Sequence, residues 1–304
     1  MGKKLLLLGR AGVGKSTLKE MIFEGKNPDD LLIHSLVPTM GIETAVYSWL
    51  DLELSIFDTS GQELRSLLKD ESEQLLAFGG VDIVIYTFDY EMWHNDSQEI
   101  SDEIKEVNKI MRKINKQAQL MLILHKIDLI PKIIRNSIRI LIHQIQSIVN
   151  LPLKQSIYFT SIDQNYIYSV HNGFSEIISR FSEKNFSLKK SLDNTFTKFS
   201  KCICYITDYN NSVIVQSKSD DFNISLIYES YRIFYYLSRD HKDSTYNDGK
   251  PHLLDVDGET LRMLMVPLDS PNLNLKLLVV ATESVEEGLL NNLANKILSN
   301  LNIY

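Results

Sequence analysis

Apolar residues in the first part of the chain follow two periods. Unbroken runs, such as Leu5, Leu6, Leu7, Leu8 and later Leu120, Met121, Leu122, Ile123, Leu124, read as short strands buried on both faces. Between them Ile100, Ile104, Val107, Ile110 and Ile114 fall at helical spacing, as do Ile134, Ile138, Leu141, Ile145 and Ile148. The pattern predicts strands at 3–9, 42–48, 52–58, 82–89, 119–125 and 155–160, with helices at 15–24, 97–117, 131–149 and 165–182. Such alternation with short loops predicts an α/β domain whose mostly parallel sheet is covered by helices on both faces. Lys132, Arg135 and Arg139 read as a solvated helix face rather than a docking patch.

The pattern changes after the polar stretch Ser182-Glu183-Lys184-Asn185, which places a domain boundary between residues 1–184 and 185–304. Beyond it the sequence predicts helix 188–199, strands 200–207 and 212–218, helix 221–240, strands 252–257, 260–267 and 274–281, and helix 284–302. The pairs Asn210-Asn211 and Asp257-Gly258 accept positive φ and suit tight hairpins. This order predicts an α/β domain with an antiparallel five-stranded sheet. Helix 221–240 carries an apolar arc that includes Phe222, Ile224, Leu226, Ile227, Tyr228, Tyr231, Ile233, Phe234, Tyr235 and Leu237. That is wider than the stripe needed to lie on one sheet. Its Tyr and Phe content leads us to expect an interface core, the alternative being cover by helix 188–199 or by residues 241–251.

Composition narrows the function. A chain of 304 residues with 44% hydrophobic positions suits one large or two modest domains. A formal charge of −7 argues against a nucleic-acid binder. The two cysteines, Cys202 and Cys204, are too few for a zinc site or a disulfide scaffold. At i and i+2 of a strand they share a face and are expected to be reduced thiols, which suits a cytoplasmic protein. No run approaches the ~18 apolar residues of a membrane span. Leu6 stands where a myristoylation pattern needs Ser or Thr, and Asn302-Ile303-Tyr304 offers no prenylation cysteine. No direct membrane anchor is therefore expected, and any attachment is expected to run through a partner.

The chemistry starts at Gly9-Arg10-Ala11-Gly12-Val13-Gly14-Lys15-Ser16, which fits G-x-x-x-x-G-K-[ST] between an expected strand and the expected helix 15–24, which carries Thr17. Loop N–H groups and the helix dipole suit a polyphosphate; Lys15 would reach its outer oxygens and Ser16 would ligate Mg²⁺. Four further segments point to a guanine nucleotide. In Pro38-Thr39-Met40-Gly41, a mobile Thr39 can complete the Mg²⁺ shell and meet a γ-phosphate. In Asp58-Thr59-Ser60-Gly61-Gln62-Glu63, Asp58 would hold a water on Mg²⁺, Gly61 would bring its N–H to the γ-phosphate, and Gln62 would orient the attacking water. In His125-Lys126-Ile127-Asp128, Asp128 can accept from both N1–H and the amino group of guanine while the Lys126 stem lies along the base. Thr160-Ser161-Ile162 offers backbone N–H groups to guanine O6. Arg10 and Arg65 lie near the phosphates in sequence, yet both are expected to be solvent-exposed, so no arginine in cis is nominated. Ala11 could crowd an incoming arginine.

Together these segments resemble a Ras-superfamily GTPase, and two details resemble its Rag/Gtr branch. His125-Lys126-Ile127-Asp128 replaces the usual Asn-Lys-x-Asp, and Phe159-Thr160-Ser161-Ile162-Asp163 followed by Tyr166-Ile167-Tyr168-Ser169 is similar to the corresponding Rag stretch. The 38–41 and 58–63 segments look more like Ras or Rab. The C-terminal element order resembles the roadblock (longin-like) domain of Rag/Gtr proteins. The resemblance implies a GTP/GDP switch with Mg²⁺ that hydrolyses GTP slowly. It also implies dimerisation through the C-terminal domain with a related GTPase chain or with itself, activating and exchange proteins, effectors, and a nutrient- or membrane-linked assembly. The alternatives are a non-hydrolysing, nucleotide-stabilised assembly module, an ATPase, which Asp128 disfavours, or a Ras-, Rab- or Arf-like GTPase with an unrelated C-terminal fusion.

Overall fold

Leu5, Leu6, Leu7 and Leu8 are wholly buried at the centre of a six-stranded sheet in the computed structural model of the chain. The structure describes residues 2–33, 39–50, 52–61, 63–131, 138–150, 157–240, 252–256, 259–270, 274–284, 286 and 288–301. Expectations at Pro38, Gln62, Lys132, Ile134 and Arg135, at the Asp257-Gly258 turn and at 241–251 lie outside these residues, as do the side chains of Ile138, Arg139, Ile224 and Leu237. Strands β1 (Gly2–Leu8), β2 (Ile42–Trp49), β3 (Leu52–Thr59), β4 (Ile83–Asp89), β5 (Gln119–His125) and β6 (Ile157–Phe159) lie in the order β2-β3-β1-β4-β5-β6. β1 pairs in parallel with β3 and β4, and β5 in parallel with β4 and β6. Parallel strands need helical crossovers, which cover both sheet faces, so every residue of β4 is buried.

The described helices of this part are α1 (Lys15–Phe23), α2 (Pro28–Ile33), α3 (Leu64–Leu67), α4 (Glu71–Phe78), α5 (Tyr90–Ile114), α6 (Ile138–Val149) and α7 (Ile167–Ser179). The sequence reading missed α2, α3 and α4, which are too short to show a period. A cap marks α4 instead: the Asp70 carboxylate accepts from the N–H groups of Ser72 and Glu73. α5 starts seven residues before its expected position at 97. Asp89 caps it by accepting from Met92 N–H at 2.9 Å, and a kink at Asp96 interrupts the period.

The second sheet holds β7 (Cys202–Thr207), β8 (Val213–Lys218), β9 (His252–Val256), β10 (Glu259–Ser270) and β11 (Leu275–Thr282) in the order β8-β7-β11-β10-β9. Its pairings are all antiparallel, as expected. Asn211 takes a φ of 64° in the β7–β8 turn, and the Asp208 carboxylate accepts from Asn210 and Ser212 N–H groups there. α8 (Glu183–Phe196), α9 (Ile224–Asp240) and α10 (Leu289–Leu301) complete the chain. α8 starts at 183 rather than 188, because Ser182-Glu183-Lys184-Asn185 is its cap: Ser182 Oγ accepts from Asn185 N–H at 2.9 Å. Cys202 and Cys204 are free and buried.

Contacts gather the chain into two compact units, one of Met1–Lys19, Leu32–Tyr47 and Leu52–Ser169, the other of Glu20–Leu31, Ser48–Asp51 and Val170–Tyr304. The second unit has an aromatic core. Phe23 meets Trp49 and Phe174 at ring distances of 5.7 and 5.9 Å, and Tyr205 meets Tyr231 and Phe234 at 4.9 and 5.5 Å. This corrects the expectation for the α9 arc. Phe222, Leu226, Ile227, Tyr231, Phe234 and Tyr235 are buried within the chain. α7 contributes to that cover, with the His171 ring 5.0 Å from Tyr231.

His171 has no hydrogen-bond partner on either ring nitrogen, and burial pulls its pKa from 6.5 down to about 3. It is neutral in the fold but ionises near 6.5 once unfolded. Stability from this depressed value is whole above 6.5 and falls as pH drops from 6.5 towards 3, by about 1.4 kcal/mol per pH unit. Replacing it with phenylalanine keeps a ring against Tyr231 and removes the proton site. Urea midpoints of His171→Phe should therefore fall less between pH 7 and pH 5 than those of the parent; equal falls would refute the assignment.

Candidate nucleotide site

β1 ends at Leu8 and α1 begins at Lys15, so residues 9–14 turn a buried strand into a helix. Gly14 has a φ of +93°, and a Cβ there would lie 2.7 Å from the His125 ring, so only glycine fits. Lys15 folds back over the loop, its Nζ donating to the carbonyls of Gly9 at 2.9 Å and Arg10 at 3.2 Å. It is buried, and burial lowers its pKa against the opposing pull of Asp58. Gly12 and Ala11 are exposed at the loop's crest, whereas the Val13 side chain is wholly buried beneath it. Thr17 follows in the first turn of α1.

The register Leu7↔Asp58 sets the end of β3 beside the end of β1. There Ser16 Oγ donates to Asp58 Oδ2 at 2.6 Å, and Thr39 Oγ1 lies 3.0 Å from Ser16 Oγ and 3.4 Å from Asp58 Oδ2. The three residues expected at a metal thus meet. Asp58 is wholly buried, and burial raises its carboxyl above the usual range despite the pull of Ser16 and Lys15. Its Oδ1 has no hydrogen-bond partner, a costly state for a buried carboxylate. Two hydroxyls and a carboxylate are hard oxygen donors of the kind Mg²⁺ takes together with waters and phosphate oxygens. The residues present fit that ion. Among the described residues no group of three or more His, Cys, Asp or Glu offers another metal site.

The segment after β3 crosses the phosphate loop at backbone distance. A Cβ on Gly61 would fall 2.2 Å from Ala11 N and 2.4 Å from the Arg10 carbonyl carbon. Ser60 N–H donates to the Gly41 carbonyl at 2.7 Å, and Gly41 N–H donates to Glu63 Oε2 at 3.0 Å. Glu63, for which the sequence suggested no role, therefore ties the loop of Thr39 to the loop of Gly61. Gln62 lies outside the described residues.

At the far end of the loop, His125 is buried behind Gly14 with Nδ1 2.8 Å from Thr160 Oγ1. Burial brings it to about 3, so it is a neutral wedge between the phosphate loop and the 160–162 loop. Lys126 takes a φ of 57°, and its Nζ donates to the Gly12 carbonyl at 2.5 Å and lies 3.6 Å from Asp89. Ser161 Oγ donates to Asp128 Oδ1 at 2.5 Å, which brings the two residues expected at the base together. Ile162 is buried, which leaves its backbone as the part able to face a base.

Arg10 departs from expectation. Its side chain is 19% exposed, and its guanidinium is paired with Glu103, Glu99 and Asp96 of α5. Burial opposes its charge, yet hydrogen bonds to Glu103 and Glu99 raise its pKa further. The side chain is a clamp onto α5, and the loop position Arg10 occupies contributes its backbone. Arg65 is exposed, as expected, and pairs with Glu99. Periodicity alone would not reveal these pairs, but Asp96, Glu99 and Glu103 at helical spacing were a readable signal.

A strand–loop–helix phosphate cradle, a hydroxyl–carboxylate cluster at the ends of parallel strands and a carboxylate beside a serine loop define a phosphate-loop nucleotide-binding protein of the small GTPase class. Residues 4–231 match the Gtr1/RagA G protein conserved region, and the chain belongs to that family. It is similar to the Ras-related GTP-binding protein A of Dictyostelium discoideum, with 30% identity over 174 residues, 55% of each chain. It also resembles the GTP-binding protein GTR1 of Saccharomyces cerevisiae, with 30% identity over 42% of this chain and 40% of that one. The Schizosaccharomyces pombe GTP-binding protein gtr1 is 29% identical over 45% of this chain and 43% of its own. The chain thus spans about half the length of these relatives or less.

The contact between Gly14 and His125 yields a steric test. Gly14→Ala adds both backbone strain and a clash, and should cost about 1–3 kcal/mol in urea unfolding. His125→Ala should be less costly in the Gly14→Ala background than alone, because it clears the clash. Additive costs would show that the ring does not press on the loop.

Proposed function

We propose that the chain is a guanine-nucleotide switch that binds GTP or GDP with Mg²⁺ and hydrolyses GTP slowly. The observation that carries this reading is the meeting of Ser16, Thr39 and the unpartnered Asp58 oxygen beside the phosphate loop. Lys15 would hold the outer phosphate oxygens, Ser16 and Thr39 would ligate Mg²⁺, and Asp58 would hold a water on it. Bound Mg²⁺ would neutralise charge on the phosphates. The Gly61 N–H would face the γ-phosphate and Gln62 would orient water. Asp128 and Ser161 would read guanine, with Lys126 along the base. Gly9, Arg10, Ala11, Gly12, Val13, Gly14, Thr17, His125 and Ile162 would shape the site or contribute backbone.

Met40, next to Thr39, is an apolar residue open to solvent. Its exposure supports an effector that reads the loops of Thr39 and Gly61 when a γ-phosphate orders them. With Arg10 clamped to α5, charge on the transferring phosphoryl group is incompletely neutralised. Turnover on the order of 10⁻⁴ to 10⁻³ per second is expected, rising with an activating protein's arginine. The functional division is proposed at 184/185. None of the described helices is long and apolar enough to cross a membrane. A cytoplasmic protein that reaches membranes through partners fits that and the family.

Fluorescent-nucleotide titration and phosphate release test this reading. The chain should prefer GTP over ATP, and Asp128→Asn should weaken GTP and shift preference to xanthine nucleotides, whose extra carbonyl suits an amide donor. Equal ATP and GTP affinity in the parent would sink the reading. Binding without any phosphate release would favour the assembly-module reading instead.

Pairing with a related GTPase chain, or with a second copy, is proposed through the C-terminal sheet domain. The buried α9 arc no longer supplies that surface, so the proposal rests on family membership and on exposed Phe186 of α8. Light scattering should show association at micromolar concentration, alone or with a related chain. A monomer in every mixture would end it.

A further inference from the structure

Resting on the hydrolysis reading above, we infer that Glu99 of α5 is a positioning residue that docks the start of α3 against the phosphate loop by sharing its carboxylate between Arg10 and Arg65. Glu99 Oε2 lies 2.7 Å from Arg10 Nη2, while its Oε1 pairs with Arg65 Nη2. Arg10 stands in the phosphate loop, and Arg65 follows Gly61 by one turn of chain. Backbone contact joins the same two segments, since Gly61 leaves no room for a Cβ against Arg10 and Ala11. One junction is therefore held at two points, a backbone touch and a carboxylate bridge.

The two halves of the bridge differ in strength. The Arg10 half is anchored: Arg10 Nε and Nη2 donate to Glu103 at 2.9–3.2 Å, and the buried Tyr86 hydroxyl donates to Glu103 Oε2, which Arg10 Nε also reaches. Glu103 is 9% exposed, and its removal would leave a partly buried guanidinium short of partners. The Arg65 half is open, with Arg65 70% and Glu99 46% exposed. Exposed pairs of this kind are weak and screened by salt. α5 thus offers a fixed anchor on the phosphate-loop side and a releasable one on the α3 side. Glu99 carries a carboxyl held below its usual range, first by the hydrogen bond from Arg10, so it stays charged whether or not Arg65 is docked. The bridge holds Gly61 and the start of α3 against the phosphate loop, and so bears on turnover rather than on affinity.

The full chain loaded with Mg²⁺ and GTP tests this with Glu99→Gln, Arg65→Ala, Arg65→Lys and the double variant Glu99→Gln/Arg65→Ala. Single-turnover hydrolysis should fall about two- to fivefold in Glu99→Gln and Arg65→Ala, the size an exposed ion pair can carry. GTP affinity should change less than that, Arg65→Lys should retain most of the rate, and the double variant should be no slower than the singles. Raising NaCl to about 0.5 M should slow the parent towards the variants and leave the variants unmoved. Unchanged rates, multiplied losses in the double variant, or an affinity loss that matches the rate loss would overturn the inference. Amide exchange at residues 61–68 gives a second readout that needs no hydrolysis: Glu99→Gln should speed it in the nucleotide-bound chain. If the parent binds GTP but never releases phosphate, the hydrolysis reading fails, and unchanged exchange in Glu99→Gln then refutes the docking role separately.

Discussion

Two buried opposite charges, Lys15 at the start of α1 and Asp58 near the end of β3, set the terms for the phosphate-loop site. Lys15 and Asp58 are both withdrawn from water, and burial pushes each towards its neutral form. Such a pair is tolerable only where hydrogen bonds and a complementary charge compensate it. Backbone carbonyls of the phosphate loop serve Lys15, and hydroxyls of Ser16 and Thr39 serve one oxygen of Asp58. The other oxygen is left over, and it is the feature that asks for a cation. All of this depends on the parallel register that brings β1 and β3 to the same edge of the sheet.

The same edge gathers the rest of the site. β4 ends at Asp89, which caps α5 and lies near Lys126; β5 ends at His125, which braces Gly14 against Thr160. Each strand in turn delivers one chemical group to a common rim, as open α/β sheets do at the carboxyl ends of their strands. Helix α5 adds a different kind of support. Its kink at Asp96 falls where Arg10 reaches Asp96, Glu99 and Glu103, so a helix that reads as core packing also braces the phosphate loop from outside.

The second unit is organised by aromatic packing rather than by charge. Tyr205 of β7 sits under Tyr231 and Phe234 of α9, and His171 of α7 closes over Tyr231. A neutral imidazole without hydrogen-bond partners serves there as a flat ring. The α9 arc meets two neighbours within the chain, β7 of the sheet and helix α7.

Much of this was legible in the chain itself. Continuous apolar runs fixed the buried parallel strands, because a strand covered on both faces has no polar side to alternate. The glycine–lysine–serine loop, Asp58 and Asp128 stood out in the chain for the chemistry proposed for them, because few residue types can hold phosphate, a divalent cation or guanine. Tertiary structure decided what distance along the chain conceals. It turned Arg10 from an expected solvent-facing residue into a clamp on α5, because its three carboxylate partners lie more than eighty positions away. It spent the α9 arc inside the chain, because an amphipathic pattern records how wide an apolar face is and not which neighbour covers it. It gave Glu63 a role between two loops, and it formed α2, α3 and α4, whose few residues are set by caps and contacts rather than by period. Periodicity reports local geometry, whereas pairing between distant charges and rings is settled only when the chain closes on itself.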